Sequence, residues 1–144
     1  MQPVKIHIFS TAKNDGGEAQ TSEQRYSGQM TEKNGKHYVI YREDAQSGLE
    51  GTKTTLRWDQ EHVLIMRSGT VDHRQEFRRG YLDRSIYVTP YLKLPLTTDT
   101  NYLYTYFRNG VWYLEMEYTL YCEDSPYGEM KILIEIEEDI QGGY

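Results

Sequence analysis

With 144 residues, a formal net charge of −6 and a pI near 5.2, the chain is long enough for one domain with its own core. Its acidic field repels phosphate backbones and anionic lipid, which excludes nucleic acid and membrane surfaces as expected partners. No apolar run approaches the roughly 18 to 20 residues of a membrane span, and the opening MQPVKIHIFS lacks the apolar region and cleavage site of a signal peptide. The single Cys122 cannot form an internal disulfide, which fits a reducing compartment. The expectation is one cytoplasmic domain over residues 1–144, with 139–144 a flexible tail. Fourteen Tyr, three Phe and two Trp favour pleated strands over helices.

Alternation of period two recurs along the chain, and no stretch keeps a helical apolar stripe. The first strand, Val4 to Phe9, sets Val4, Ile6 and Ile8 on one face. The polar segment Ala12 to Glu23 reads as a loop or lid. Gln24 to Lys33 and Lys36 to Glu43 flank Asn34-Gly35, a dipeptide suited to the positive φ angles of a type I′ hairpin turn. After a connection at Gly48 to Gly51, Thr52, Thr54, Leu56 and Trp58 alternate with Lys53, Thr55 and Arg57, the pattern of a half-buried strand. His62 to Ser68 and Val71 to Arg78 form the next hairpin. A two-residue Gly69-Thr70 loop would pair Met66 with His73 and Leu64 with Gln75, and set Arg67 opposite Asp72 on the outer face; a three-residue loop would reverse these faces.

Asn109-Gly110 then joins Tyr102 to Phe107 with Val111 to Cys122. This register points Trp112, Leu114, Met116, Tyr118 and Leu120 inward beside Phe107, Thr105 and Leu103. It leaves Tyr102, Tyr104, Tyr106 and Tyr113 on the outer face with Glu115 and Glu117. A turn at Ser125-Pro126-Tyr127-Gly128 leads to a last strand with Met130, Ile132, Ile134 and Ile136 on one face and Lys131, Glu135 and Glu137 on the other. Roughly eight to ten strands linked by tight turns, with no crossover helix, predict an all-β fold whose antiparallel sheet either closes into a barrel or splits into a sandwich; the barrel is preferred, because closure removes the edges.

The segment Val63-Leu64-Ile65-Met66-Arg67-Ser68-Gly69, followed by Gln75-x-Phe77, resembles the YwiB-like family of bacterial β-barrel proteins of unknown function. Tyr41-x-Glu43, Thr54-Thr55, Tyr87-x-Thr89-Pro90-Tyr91, Leu94-x-Leu96 and Thr98-x-Thr100 fall in the family's order, so the resemblance covers most of the chain. It implies a closed, calycin-like or lipocalin-like barrel, and brings no established activity, substrate or catalytic residue. Leu92 stands where the family carries glycine, which predicts a local difference in the turn. The Gly-x-Trp of lipocalin first strands is absent. Gly110-Val111-Trp112 has those letters, but turn glycine and core tryptophan account for them.

No constellation for catalysis emerges. His7, His37, His62 and His73 lie on different strands without the spaced ligands of a zinc site, so neither a metal nor a cofactor is expected. Ser68, Asp72 and His73 share one hairpin on diverging faces, unlike a catalytic triad. Cys122 precedes Glu123 and Asp124, whose charge disfavours a thiolate. Glu135 and Glu137 alternate with Ile134 and Ile136 as a solvated strand face, and no glycine-rich phosphate loop opens a helix. The chain is therefore read as a non-enzyme. Arg67, Arg74, Arg78, Arg79 and Arg84 form a basic stretch against the acidic region Glu115 to Asp139, a division that reads either as an acidic-ligand site or head-to-tail association, or, preferred here, as cross-strand pairing and solubility.

Two functional readings follow. A barrel lined by Leu64, Met66, Phe77, Trp58 and Met116 with polar Tyr41, His73, Gln75 and Tyr118 suits a small, partly apolar ligand, with Tyr41, Trp58, His73, Gln75 and Tyr118 as its binding residues. Alternatively, the outer stripe Tyr102, Tyr104, Tyr106 and Tyr113 is an interface for a protein partner or a homodimer. An enzyme with an unrecognised lumen site ranks third.

Overall fold

The computed structural model describes residues 1–14 and 16–140. Those residues form ten strands and no helix: β1 (Gln2–Lys13), β2 (Ala19–Lys33), β3 (Lys36–Arg42), β4 (Thr52–Trp58), β5 (Val63–Gly69), β6 (His73–Phe77), β7 (Leu82–Val88), β8 (Lys93–Arg108), β9 (Val111–Cys122) and β10 (Ser125–Glu138). All pairings are antiparallel, in the order β6-β5-β4-β3-β2-β1-β10-β9-β8-β7. Two meanders therefore meet where β1 pairs β10. The outer members, β6 and β7, come together along a thin seam. Asp72 and Val88 exchange two backbone hydrogen bonds of 2.9 Å, and the Glu76 amide donates to Asp83 Oδ2 at 3.2 Å. The result is a nearly closed barrel, with ten strands where the alternation predicts eight to ten.

Three two-residue turns set the registers. Asn34-Gly35 (φ 55° and 75°) and Asn109-Gly110 (φ 51° and 80°) have the positive φ pairs expected of type I′ turns. The third is Glu123-Asp124 (φ 51° and 66°), which joins Cys122 to its partner Ser125. The expected turn at Ser125 to Gly128 is thus corrected: those residues already belong to β10, and the register shifts between Pro126 and Gly128. A bulge tolerates a proline that the ladder cannot use as a donor. Leu92 has no positive φ. Its turn is held by Thr89, whose hydroxyl accepts from the Tyr91 and Leu92 amides.

The segment Ala12 to Glu23 is not a loop. β1 and β2 pair continuously from Gln2↔Met30 to Lys13↔Ala19, so only residues 14–18 connect them. The start of β2 is exposed on both faces, so it carries no apolar alternation to read. β8 likewise begins at Lys93, well before Tyr102, and a bulge between Thr100 and Tyr102 changes its phase. That extra residue lets Thr98 and Thr100 face inward with Leu103, while Tyr102, Tyr104 and Tyr106 face out. At the C-terminal end the Asp139 amide donates to the Pro3 carbonyl at 2.9 Å, so the described chain is tethered there; residues 141–144 of the expected tail lie outside the described residues.

The most consequential correction is the β5–β6 register. Arg67 pairs with His73, Ile65 with Gln75 and Val63 with Phe77, the faces of the longer loop, and three residues, Thr70-Val71-Asp72, connect the two strands. Gly69 has φ 138°, and a Cβ there would lie 2.3 Å from the Gly51 carbonyl oxygen, so close backbone approach fixes this turn. Leu64 and Met66 consequently leave the lumen, and Arg67 turns into it instead of facing Asp72 from the outside. Asp72 Oδ1 accepts from the Gly69 amide at 3.2 Å.

The body of the barrel is filled by one contiguous cluster that includes Val4, Ile6, Val39, Leu56, Ile65, Phe77, Leu103, Leu114, Met116 and Ile134. This plug separates two ends of different chemistry. One carries Trp58, Trp112 and His37; the other carries Tyr41, Glu43, Arg67 and His73.

Candidate functional site

The polar end is built by strand registers alone. Tyr41 on β3 pairs with Thr54 on β4, Thr54 with Arg67 on β5, and Arg67 with His73 on β6. Cross-strand partners share a face, so these four side chains form one row along the inner wall. His73 Nε2 continues the row across the seam to Ser85 Oγ on β7, 2.8 Å away, and Tyr87 meets the imidazole edge-on at 5.2 Å. At the other end of the row Tyr26 stacks on Tyr41 at 4.6 Å. Tyr118, packed against Phe77 at 4.9 Å, faces the row from β9, where it pairs with Thr100.

Glu43, two residues beyond Tyr41 and therefore on the same face, supplies the negative charge. Its side chain is 2% exposed and accepts a short hydrogen bond from the Thr54 hydroxyl. Arg67 Nε lies 3.8 Å from the same carboxylate oxygen, close enough for an ion pair and too far for a hydrogen bond. The Arg67 side chain donates to no described residue, and its Nε, His73 Nδ1 and Thr100 Oγ1 are all buried without a hydrogen-bond partner. Such groups each cost about 1 to 3 kcal/mol when left unsatisfied, and native proteins leave few of them.

Burial, aided by the Arg67 charge, pushes the His73 imidazole down to about 4. Burial lifts the Tyr26 and Tyr118 phenols to about 12, with Arg67 opposing the effect at Tyr118. Burial followed by the Glu43 carboxylate raises Tyr41 further. At neutral pH the wall therefore presents neutral imidazole and protonated phenols around an arginine with an unused planar fork of donors.

Four of the five lumen residues expected from sequence, Tyr41, His73, Gln75 and Tyr118, are buried at or next to this row. Gln75 is already engaged, donating to Thr98 Oγ1 at 2.8 Å. Trp58 is not brought to them. It lies four residues along β4 from Thr54, roughly 13 Å away, stacked on His37 at 5.2 Å. Sequence reasoning missed Arg67, Glu43, Ser85 and Thr100. For Glu43 the signal was its two-residue spacing from Tyr41; for Arg67 it was the alternative loop length.

The outer tyrosines are arranged as their register requires. Tyr106 and Tyr113 stack at 4.8 Å, Tyr104 meets Tyr106 at 5.0 Å, and the Arg79 guanidinium lies 5.9 Å from the Tyr102 ring centre. Among the described residues no group of three or more His, Cys, Asp or Glu is placed to hold a metal ion, and no helix is long and apolar enough to cross a membrane.

The sequence and the fold have counterparts in known proteins. The chain is 32% identical over 98 residues to the uncharacterized beta-barrel protein YwiB of Bacillus subtilis (strain 168), covering 68% of this chain and 67% of that protein. Its fold superposes on the crystal structure of the ywiB protein from Bacillus subtilis with a TM-score of 0.84 at 25% identity, covering 96% of this chain and 92% of the other. The family described as domain of unknown function (DUF1934) matches residues 6–134, from the second inward residue of β1 to the middle of β10, and the chain belongs to that family.

Proposed function

We propose that this barrel binds a small, partly apolar molecule whose hydrogen-bond-accepting head, a carboxylate or carbonyl, is held at the polar end by Arg67. The observation that carries this reading is the Arg67 guanidinium, which stands in the inner wall 3.8 Å from Glu43 with no hydrogen bond to any described residue. Thr100 and His73 add two more unpartnered polar atoms, and Tyr41, Tyr26 and Tyr118 provide ring surface for the apolar part. A few unpartnered polar groups set beside aromatic ring surface are the kind of group that lines a ligand site. This use of the lumen is lipocalin-like, and the lone Cys122 suits a reducing, cytoplasmic setting. We read the role as binding without chemistry: His73 and Ser85 are hydrogen-bonded, but no acid orients His73 Nδ1.

The test is native mass spectrometry of the protein purified from its own host, set beside its denatured mass. A retained species absent from Arg67→Met supports the reading. A wild-type protein that carries nothing and whose lumen NMR signals are unmoved by a library of small carboxylates and carbonyl compounds overturns it.

A second reading, self-association through Tyr102, Tyr104, Tyr106 and Tyr113, is favoured by the half-exposed Tyr104 ring and the enrichment of tyrosine at interfaces. Sedimentation equilibrium distinguishes it: a dimer that Tyr104→Ser converts to monomer supports it, and a wild-type monomer at all concentrations removes it.

A further inference from the structure

The opposite end of the barrel has a different chemistry. There a cleft of about 600 Å³ is lined by Met1, Phe107, Trp112, His37, Glu32 and Glu138 among others, with no lysine or arginine in its wall and the α-amino group of Met1 set against the two carboxylates. This lies within the range of about 300 to 1,000 Å³ typical of small-molecule sites. Its aromatic groups form a connected set. Phe107 meets Trp112 at 5.3 Å with the rings inclined at 54°, His37 lies 4.5 Å from Trp112, and the buried Trp58 backs them, 5.7 Å from Trp112 and 5.2 Å from His37. Phe107 is 58% exposed, unusual for the inward member of a hairpin pair, and it stands at the lip of the cleft. Glu32 Oε2 is 3.5 Å from His37 Nδ1 and its side chain is mostly exposed.

We propose that this mouth binds a small organic cation, an alkylammonium or quaternary ammonium group, against the open face of the Phe107 ring beside Trp112 and under the field of Glu32 and Glu138. Ring faces carry negative potential and attract a weakly hydrated cation. The two carboxylates add long-range attraction and make the same cleft repel the acidic head that suits Arg67. An uncharged apolar guest would gain the ring contact but nothing from the carboxylates, so charge selectivity is the signature of the site. The proposal is independent of the lumen reading, because the plug of Phe77, Leu56, Val39 and Leu114 lies between the two ends.

Trp58 and Trp112 are the only tryptophans in the chain and both belong to this end, so intrinsic fluorescence reports on it directly. The experiment titrates the full chain with choline, with its uncharged isostere 3,3-dimethylbutan-1-ol, and with sodium chloride as an ionic-strength control. The expected result is a saturable change with choline and at least tenfold weaker binding of the alcohol. Phe107→Ala and Glu32→Gln/Glu138→Gln, which alter exposed side chains, should each weaken choline binding about fivefold or more, with the thermal transition retained. Arg67→Met should leave it unchanged. A choline response no stronger than that of the alcohol or of sodium chloride overturns the proposal, as does choline binding that survives both sets of substitutions.

Discussion

Arg67 and His73 stand directly opposite each other in the β5–β6 ladder, both facing into the barrel, so a permanent cation and a titratable ring share one stretch of wall. Burial and this neighbour together hold His73 neutral down to about pH 4.

The linkage has a definite sign. As pH falls, an unfolded chain protonates this histidine near its ordinary value of about 6.5, whereas the folded chain resists until about 4. Stability from His73 is therefore fully present above pH 6.5 and is lost as pH falls towards 4, by on the order of 1 to 3 kcal/mol after allowance for partial solvent access. Urea unfolding from pH 7 to 4 should show a smaller decline for His73→Gln than for the wild type; parallel curves would refute this. NMR titration of the His73 ring should give its low midpoint directly, and Arg67→Met should raise it only in part, because burial is the larger cause.

Glu43 and Arg67 form a charge pair in which only Glu43 is also well hydrogen-bonded. Removing the cation strands a buried carboxylate, so Arg67→Met should cost about 1 to 3 kcal/mol, less than a fully buried pair because the arginine retains some exposure. Adding Glu43→Gln should recover part of that loss. A double-mutant cycle by chemical denaturation reads the coupling, and strict additivity would mean that the pair is not coupled.

Gly69 and Gly35 both have positive φ, yet a Cβ at Gly35 would meet nothing within 4 Å, whereas at Gly69 it would strike the Gly51 carbonyl. Gly35→Ala should therefore cost about 1 kcal/mol, the ordinary left-handed penalty, and Gly69→Ala about 3 kcal/mol or more. Thermal or urea unfolding ranks the two; equal losses would show that the backbone approach at Gly69 is readily relaxed.

The seam between β6 and β7 rests on the Asp72–Val88 bridge and a few flanking contacts, unlike the continuous ladders elsewhere. Hydrogen exchange at the Asp72 and Val88 amides should be faster than at Leu56 or Leu114, since local opening follows the weakest pairing. A molecule bound at Arg67, beside this seam, should slow it. Uniform protection around the barrel would exclude the seam as an entry.

Much of this architecture was readable from sequence where one strand face is apolar and the turn is asparagine-glycine. Trp112, Leu114 and Met116 on β9 fall on the inner face because Asn109-Gly110 leaves only one register. Three features were hidden, each for a physical reason. The β1–β2 extension is polar on both faces, so Gln20 to Glu23 offers no alternation. The Glu123-Asp124 turn places non-glycine residues at positive φ, while the nearby Pro126 and Gly128 look like a turn and form a bulge. At Gly69 the loop length depends on contact with Gly51, a residue distant in sequence. That single residue of loop decides whether Arg67 is a surface charge or the centre of the candidate site. Tyr41, His73, Gln75 and Tyr118 were found because their inward faces did not change, whereas the separation of Trp58 from them required knowing how far along β4 it stands.

The pairing of β1 with β10 sets an order of events during synthesis. Val4, Ile6 and Ile8 lie opposite Glu138, Ile136 and Ile134, almost the full length of the chain away. While translation proceeds, the six-strand meander β1 to β6 can zip from local hairpins, but the open side of β1 has no ladder partner until the last strand emerges. Joining the two meanders through β1 and β10 is thus the most non-local pairing in this topology, the kind that long-range contacts make slow, and a nascent chain carries an open strand edge until it forms.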